Sequence, residues 1–312
     1  MPTFSVLLVL KNRSEHTRRL MNIWETEQFP YKVVIADGGD DKDLENTLSD
    51  KSNFPHVNYE YIKYPFDNNL QQFYAKMSDA VMRIDTDTVS VMDNDDDLSI
   101  EGIEKCLKIL EDDSYSSARG LMSDTRGRNM YKQFPDSIMG NSATERMMNQ
   151  TRHFHGNWHN ITRTNHIQAE WRCIEVVSPN NFRIVEQITG YLNTMWGNGY
   201  RGDFEWMSHG ASQRIETDAG NLQSHFPPQE QWIKSDYWLE EFNKLTEVIG
   251  TAIAYKDRVN VNKAMDDFKN IYPFKVPPLM KLLHSRICEA AKLGYDNDRI
   301  KKMYAIMHEC SV

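Results

Sequence analysis

The sequence lacks the cysteine spacing of a disulfide framework or a zinc ribbon. Its four cysteines lie far apart, and none of them stands in a C-x-x-C pair. Small disulfide-rich proteins and zinc ribbons need closer, repeated spacings. We therefore expect free thiols at Cys106, Cys173, Cys288 and Cys310.

Long hydrophobic runs are also missing. The first apolar run, Phe4–Leu10, is far shorter than the roughly 20 residues that a membrane helix needs. No basic region precedes it, as one would in a secretory signal. These absences predict a cytoplasmic protein without a transmembrane segment.

Positive charge is scarce, because 36 Lys and Arg face 45 Asp and Glu, and the net charge is −9. The basic residues are dispersed, which argues against a general nucleic-acid binder because phosphate contacts need clustered cations. A small ligand bound through a cation remains compatible with this charge. The 312 residues suffice for one large α/β domain with an appended piece, and 40% apolar residues are typical of a soluble globular chain.

Apolar runs alternate with helical spacings over the first 110 residues. The predicted strands are Phe4–Leu10, Tyr31–Ala36, Tyr59–Tyr64 and Thr88–Met92, and the predicted helices surround Leu20–Trp24 and span Asn69–Ile84. This order predicts a parallel sheet, whose ligands gather beyond the carboxyl ends of its strands. Asp37 and Asp93 follow two such strands.

The later pattern is less regular. It predicts a helix after the N-cap Ser99, a strand at Ser116–Met122, a helix at Arg183–Trp196 and a strand at Tyr200–Met207. Residues 124–165 show no clear period, and such a long segment favours a substrate-covering loop. The chain from Trp232 onward is predicted to be mostly helical, with interruptions at Pro273 and Pro277-Pro278.

Four carboxylates stand within the five residues Asp93–Asp97. They repel one another unless a cation binds, and hard ions such as Mg²⁺ and Mn²⁺ take oxygen ligands and bridge to substrate phosphates. A solvated acidic turn that caps the next helix is the simpler alternative. A calcium-binding EF-hand loop fits worse, because Leu98 stands where that loop needs glycine.

Taken together, these signals resemble the N-terminal half of glycosyltransferase family 2, which has the GT-A fold. Phe4–Leu10 with Asn12-Arg13 resembles the family's first strand and loop, and Val33–Asp37 resembles its second strand and nucleotide-binding aspartate. Asp93-Asn94-Asp95-Asp96 resembles the family's D-x-D motif. The resemblance implies an α/β fold with a GT-A type, Rossmann-like sheet, flanking helices and a mainly helical C-terminal extension. The implied catalytic domain spans 1–226, with a nucleotide-sugar half over about 1–110 and an acceptor half over about 111–226, and the extension spans 227–312.

The family's chemistry implies a metal-dependent, inverting transfer from a nucleotide-sugar, with a UDP-sugar favoured, to a carbohydrate or other hydroxyl acceptor. The implied nucleotide contacts are Leu10, Asn12, Arg13, Asp37, Lys76, Asp93 and Asn94. The implied ligands of Mn²⁺ or Mg²⁺ are Asp93 and Asp95, and His209 or His225 is a candidate third ligand.

An inverting enzyme of this family needs a carboxylate that deprotonates the acceptor hydroxyl. The family keeps this base at a helix start, about eleven residues before a glycine, and Glu186 stands at that distance from Gly197. Asp203 is the alternative base. His153, His155 and His159 lie in the aperiodic segment and are interpreted as an acceptor-side loop.

Two other functions fit the same features. A nucleotidyltransferase would use a similar sheet and similar metal-binding carboxylates, although its first loop is usually rich in glycine and Lys11–Ser14 contains none. A non-catalytic calcium-binding protein would use the acidic turn alone. Metal-dependent hydrolysis of a nucleotide-sugar without an acceptor would argue against the non-catalytic calcium-binding protein.

Overall fold

The computed structural model describes residues 1–124, 137–152, 158–210, 233–272 and 280–311, together with Gly127, Phe154 and Gly156. Its strands are β1 (Phe4–Leu10), β2 (Lys32–Asp37), β3 (Tyr59–Lys63), β4 (Thr88–Met92), β5 (Asp97–Leu98), β6 (Tyr115–Asp124), β7 (Ile161–Arg163) and β8 (Asn198–His209). They form one sheet in the order β3-β2-β1-β4-β7-β6-β8-β5. The strands predicted from apolar runs are therefore confirmed, with ends shifted by a few residues.

The sheet is mixed, which corrects the prediction of a parallel sheet. Strands β3, β2, β1 and β4 are parallel, and so are β6 and β8. Strand β7 is antiparallel to β4 and β6, and β5 is antiparallel to β8. Parallel pairing needs a long crossover between consecutive strands. Strand β5 begins only five residues after β4, so the chain reverses there instead of crossing over.

Helices cover both faces of the sheet. In chain order they are α1 (Ser14–Glu27), α2 (Lys42–Ser49), α3 (Leu70–Met82), α4 (Ile100–Ile109), α5 (Ala143–Arg152), α6 (Thr164–Val177), α7 (Phe182–Met195), α8 (Asp236–Asp257), α9 (Val261–Ile271), α10 (Met280–Lys292) and α11 (Asn297–Glu309), with a short 3₁₀ helix at Lys51–Asn53. The predicted cap of α4 is confirmed, because the Ser99 hydroxyl accepts a hydrogen bond from the Gly102 amide at 3.1 Å.

Helix α5 lies in the segment 124–165 that was expected to be a loop, and that expectation is wrong for it; helix α6 begins at the end of this segment and was not predicted. Helix α6 is buried on several sides, with Ile167, Trp171, Ile174 and Glu170 all inside. A helix buried on several sides shows no single apolar stripe, so its sequence has no clear amphipathic period. The missed period is a consequence of the burial.

Alternate residues of β1 enter two cores. Leu7 joins the cluster beneath α3 and α5–α7, whereas Val6 and Leu8 join the cluster beneath α1, α2 and α4. This is the ordinary alternation of side chains along a strand. The first cluster also takes in residues of all four C-terminal helices, including Phe242, Phe268 and Met303.

The described C-terminal part is mostly helical, as predicted from Trp232 onward, with short connections between the helices. The predicted boundary near residue 226 and the Pro227-Pro228 break lie outside the described residues, as do Pro273 and Pro277-Pro278. Within the described ranges, no helix combines the length and the apolar character needed to cross a bilayer.

Candidate active site

The loop after β1 has an unusual backbone at two successive residues. Asn12 and Arg13 have φ of 59° and 60°, in the left-handed region that residues other than glycine seldom adopt. The Asn12 side chain holds this conformation, since its Oδ1 accepts a hydrogen bond from the Asp40 amide at 2.9 Å. The carboxyl ends of β1 and β2 are therefore tied together. Strained backbone of this kind recurs at binding sites.

Asp37 ends β2 and is almost fully buried. Its carboxylate accepts hydrogen bonds from the Gly39 amide at 2.7 Å, the Tyr61 hydroxyl at 2.7 Å and the Lys63 ammonium at 3.1 Å. The structure thus places Asp37 at the strand end predicted for it and fixes its orientation. Burial, together with the neighbouring Asp37 carboxylate, raises the pKa of Tyr61 far above its usual range, which keeps that hydroxyl a donor.

Lys76, an expected nucleotide contact, is almost fully buried. Its ammonium is only 1% exposed, donates to the Leu10 carbonyl at 3.0 Å and pairs with the Asp67 carboxylate. Burial lowers the pKa of Lys76 and raises the pKa of Asp67. Lys76 therefore stabilises the end of β1 through its hydrogen bond to the Leu10 carbonyl. The Leu10 side chain is itself buried, so only its backbone borders the loop.

The acidic cluster is a turn between β4 and β5. The Asp96 amide lies 3.5 Å from the Asp93 carbonyl, so Asp93 and Asp96 occupy the two ends of a four-residue turn. Asn94 and Asp95 form its corner. Asn94 is buried and its amide donates to the Thr17 hydroxyl at 2.9 Å and to the Arg13 carbonyl at 3.2 Å. Asn94 thus anchors the turn to α1, which differs from the expected nucleotide contact.

The two ends of this turn meet His159. Asp93, Asp96 and His159 offer ligand atoms that all lie within 4.8 Å of one another, and no other such group of three occurs among the described residues. His159 Nε2 lies 3.4 Å from Asp96 Oδ2. His159 Nδ1 lies 3.2 Å from the Val91 carbonyl, which can only accept a hydrogen bond. Nδ1 therefore donates this hydrogen bond, and Nε2 is the ring nitrogen that faces the carboxylates.

Bringing these carboxylates together away from water is unfavourable unless a positive charge lies close to them. Burial is the main cause that raises the pKa of Asp93 to about 6, and Asp96 and Asp95 raise it further, while His159 and Arg13 lower it. Asp96 is fully buried. Carboxylates crowded together out of water favour either protonation or a bound cation. Two carboxylates and an imidazole are donors that suit a divalent cation such as Mn²⁺, and the hydrogen bond from Nδ1 is the usual support of a metal-binding histidine.

Of the predicted ligands Asp93, Asp95 and His209, Asp93 belongs to this group and Asp95 does not. Asp95 turns away from the group and forms a two-pronged ion pair with Arg13, at 2.7 Å and 3.2 Å. The D-x-D pattern suggested that alternate residues share a cation, but a tight turn brings its first and fourth residues together instead. The His209 side chain and all of His225 lie outside the described residues. The backbone beside His209 does reach the turn, since the Gly210 amide donates to Asp96 Oδ1 at 3.3 Å.

Sequence reasoning did not single out Asp96 as a candidate ligand and placed His159 on the acceptor side. The strand β7 explains the position of His159, because it begins two residues later and pairs with β4 at Val89 and Thr88. The Ser90 hydroxyl also donates to the His159 carbonyl at 2.9 Å. A three-residue strand leaves almost no period in a sequence, so no pattern signalled this contact. The EF-hand alternative is wrong, because β4 and β5 flank the turn where an EF-hand has helices.

Neither candidate base belongs to the Asp93–Asp96–His159 group. Helix α7 begins at Phe182, one residue before its predicted start, with Asn181 as its N-cap, and Glu186 lies in its second turn. Its side chain is exposed, yet partial desolvation raises its pKa, opposed by Arg183. Asp203 is exposed on β8, where the register against β6 is irregular.

Comparison with solved structures identifies the fold. The structure of S. aureus TarS residues 1–349 in complex with UDP-GlcNAc matches with a TM-score of 0.59 and 14% identity, over 98% of this chain and 91% of that one. The chain shares the fold of TarS. The same TarS fragment with UDP gives a TM-score of 0.56 and 14% identity, over 99% of this chain and 87% of that one. A further structure of TarS residues 1–349 gives a TM-score of 0.55 and 14% identity, over 98% of this chain and 90% of that one.

The predicted α/β fold, a GT-A type sheet with flanking helices and a helical C-terminal extension, is thereby confirmed. No protein-family model matches the sequence, and no curated protein matches it. At 14% identity the likeness concerns the fold alone.

Proposed function

We propose that the protein is a metal-dependent glycosyltransferase that moves a sugar from a nucleotide-diphosphate sugar to a hydroxyl acceptor with inversion. The observation that carries the proposal is the group of Asp93, Asp96 and His159 at the carboxyl end of β4, within the fold of TarS. A UDP-sugar is the favoured donor, because the TarS structures of this fold are complexes with UDP-GlcNAc and UDP.

The proposed donor lies across the carboxyl ends of β2, β1 and β4. The nucleoside contacts Asp37, which Tyr61 and Lys63 hold in place, and the diphosphate lies over the turn from Asp93 to Asp96. Mn²⁺ or Mg²⁺ held by Asp93, Asp96 and His159 would supply Lewis-acid stabilisation of the departing diphosphate. Arg13 adds a fixed positive charge next to this turn through its pair with Asp95.

Substitutions that remove one candidate metal ligand but keep the shape of the side chain test the metal site. Asp96→Asn and His159→Gln should remove the thermal stabilisation that UDP with Mn²⁺ gives the wild type, because a ligand stabilises only the native state that binds it. Asp87→Asn is the matched control, since Asp87 precedes β4 at the opposite end from Asp93 and pairs with Thr3. The measurement is the shift in Tm across a panel of nucleoside diphosphates and nucleotide-sugars.

The same panel discriminates between the ligand sets and between the functions. If Asp95→Asn abolishes the shift while Asp96→Asn keeps it, the D-x-D ligand set replaces the one proposed here. If nucleoside triphosphates stabilise the protein and nucleotide-sugars do not, the nucleotidyltransferase alternative holds. Calcium binding that is independent of any nucleotide would favour the non-catalytic alternative.

For the general base the proposal keeps Glu186, with Asp203 as the alternative. Partial desolvation raises the pKa of Glu186, which is the direction that a base acting near neutral pH needs. Glu186→Gln should lower transfer by roughly 10²–10⁴-fold while donor affinity stays constant, because a base acts only on the chemical step. Normal transfer by Glu186→Gln together with an inactive Asp203→Asn would move the base to Asp203. If both variants are active, the anomeric configuration of the product decides whether the transfer inverts at all.

A further inference from the structure

Lys63 lies beside Asp37 at the carboxyl end of the sheet. The two residues are register partners in the parallel pair of β3 and β2, so their side chains lie on the same face. The Lys63 ammonium donates to Asp37 Oδ2 at 3.1 Å and also to the Gly39 carbonyl. The end of β2 and the turn that follows it therefore fix the position of this ammonium.

The carboxylate of this pair is closed to solvent, whereas the lysine is not. Asp37 is 2% exposed, and its oxygens already accept hydrogen bonds from the Gly39 amide, the Tyr61 hydroxyl and Lys63. Lys63 keeps 27% of its side-chain surface in solvent. An ammonium has three N–H donors, and two of those of Lys63 have partners among the described residues. The group that this strand end offers to a ligand is therefore a hydrogen-bond donor.

Two other lysines near the end of β1 are directed elsewhere. Lys76 is 1% exposed and pairs with Asp67. Lys11 Nζ donates to the Asp67 carbonyl at 2.6 Å and lies 4.8 Å from the centre of the Phe66 ring. Both lysines thus contact the segment between β3 and α3. Within the part of the chain that the structure describes, Lys63 is the one cation that forms an ion pair with Asp37.

The order of the strands determines which part of a nucleotide reaches Lys63. In the proposed complex the diphosphate lies over the turn after β4, and β1 and β2 separate β4 from β3. Three spacings of about 4.8 Å place the end of β3 about 14 Å from that turn, which is comparable to the length of an extended nucleoside diphosphate. The ribose then lies over β1 and the base over β2 and β3. The base thus meets Lys63 with the edge remote from its ribose.

That edge differs between bases in a way that an ammonium can discriminate. Uracil carries the O4 carbonyl there and guanine the O6 carbonyl, and both oxygens accept hydrogen bonds. Cytosine and adenine carry amino groups at the same places, and these groups are donors. An N–H of Lys63 therefore forms a hydrogen bond with the first two bases and faces another donor in the other two.

We propose that Lys63 is the specificity-determining residue for the nucleobase, and that it selects nucleotide-sugars of uracil or guanine over those of cytosine or adenine. Asp37 acts through Lys63, because it holds the ammonium at the strand end. This role rests on the proposed function, since it requires the diphosphate at the candidate metal site.

Titration of the wild type with UDP, CDP, GDP and ADP, each with Mn²⁺, tests the selection without any variant. The comparison is made within the pyrimidine pair and within the purine pair, so the size of the base is constant. UDP should bind about 10-fold more tightly than CDP, and GDP about 10-fold more tightly than ADP, because the hydrogen bond to the ammonium is made with only one member of each pair. Equal affinities within the pair that binds, or a preference for CDP or ADP, would overturn the proposal.

Lys63→Met tests the residue itself, because methionine keeps an apolar chain of similar length and removes the donor. The UDP affinity should fall by about 10-fold while the CDP affinity stays unchanged, so that their ratio approaches one. Lys32→Met is the matched control, since Lys32 is 25% exposed, begins β2 at its opposite end and pairs with Asp85 at 2.9 Å. The control should keep the preference of the wild type.

A purely structural role of Lys63 gives a different result, because UDP and CDP would then weaken equally. An unchanged ratio in folded Lys63→Met therefore overturns the assignment. Failure of the proposed function has its own signature, since none of the four nucleotides with Mn²⁺ would then bind the wild type.

Discussion

At the scale of single residues, the four-residue turn after β4 determines which carboxylates approach one another. Asp93 and Asp96 are its ends and meet His159, while Asp95 at its corner pairs with Arg13. The chemistry of the site therefore depends on backbone geometry that residue type alone does not reveal.

Glu170 on α6 is a buried carboxyl group outside the site. It is 3% exposed, and burial raises its pKa well above the ordinary value. Because the folded-state pKa exceeds the unfolded-state pKa of about 4.3, the associated stability is present below that pH and is lost as pH rises toward the folded-state value. Glu170 thus makes the native state less stable at neutral than at acid pH.

We therefore predict that Glu170→Gln removes this pH dependence. From pH 4.5 to pH 7 the free energy of unfolding of the wild type should fall relative to the variant, by at most about 1.4 kcal/mol per pH unit. Urea unfolding at several pH values measures the difference. Glu175→Gln, on the exposed side of the same helix, is the control and should run parallel to the wild type. A Glu170→Gln curve parallel to the wild type would show that Glu170 titrates normally.

At the scale of elements, α3 carries one buried and one exposed ion pair. Lys76 and Asp67 are each 1% exposed, whereas Arg83 and Asp79, at the end of the helix, are 48% and 46% exposed. The buried pair joins α3 to the end of β1 through the Leu10 carbonyl. The exposed pair joins one turn of the helix to the next. The two pairs should therefore differ strongly in their effect on stability.

Lys76→Met should lower the free energy of unfolding by about 3–5 kcal/mol, because it leaves the Asp67 carboxylate buried without its partner. The double variant Lys76→Met/Asp67→Leu should recover most of that loss, since it removes both charges. Arg83→Ala should cost no more than about 1 kcal/mol. Chemical denaturation of the four proteins provides the test, and equal losses for Lys76→Met and Arg83→Ala would contradict the assigned burial.

At the scale of the whole molecule, one hydrophobic cluster runs from the sheet to the last helix. It contains Leu7 and Val91 of the sheet, Tyr191 of α7, Phe268 of α9 and Met307 of α11. The rings of Tyr191 and Phe268 lie 5.5 Å apart and nearly perpendicular. Because the C-terminal helices complete a core that begins at the sheet, we expect the parts to unfold together.

Phe268→Ala tests this expectation. Loss of a fully buried ring should cost about 3–5 kcal/mol and lower the single unfolding transition of the entire chain. Tryptophan fluorescence and far-UV circular dichroism should report the same midpoint, below that of the wild type. If the chain instead unfolds in two transitions and the variant shifts only the earlier one, the C-terminal helices form an independent unit.

The sequence alone predicted most of the strands and the strand ends at which the candidate site lies. Apolar runs that stop at polar residues mark buried strands, and side chains directly after parallel strands share one edge of the sheet. Asp37 after β2 and Asp93 after β4 were found in this way. The α/β fold class follows from the same alternation. These features depend on neighbours along the chain, so the order of residues suffices to reveal them.

Only the tertiary structure brought His159 to Asp93 and Asp96, because this contact depends on the short pairing of β7 with β4. The burial of Lys76 was likewise inaccessible to spacing. Such contacts join residues that are distant in the chain, and their geometry is set by packing across the whole sheet. Residue order determined which groups the site has available, and packing decided which of them meet.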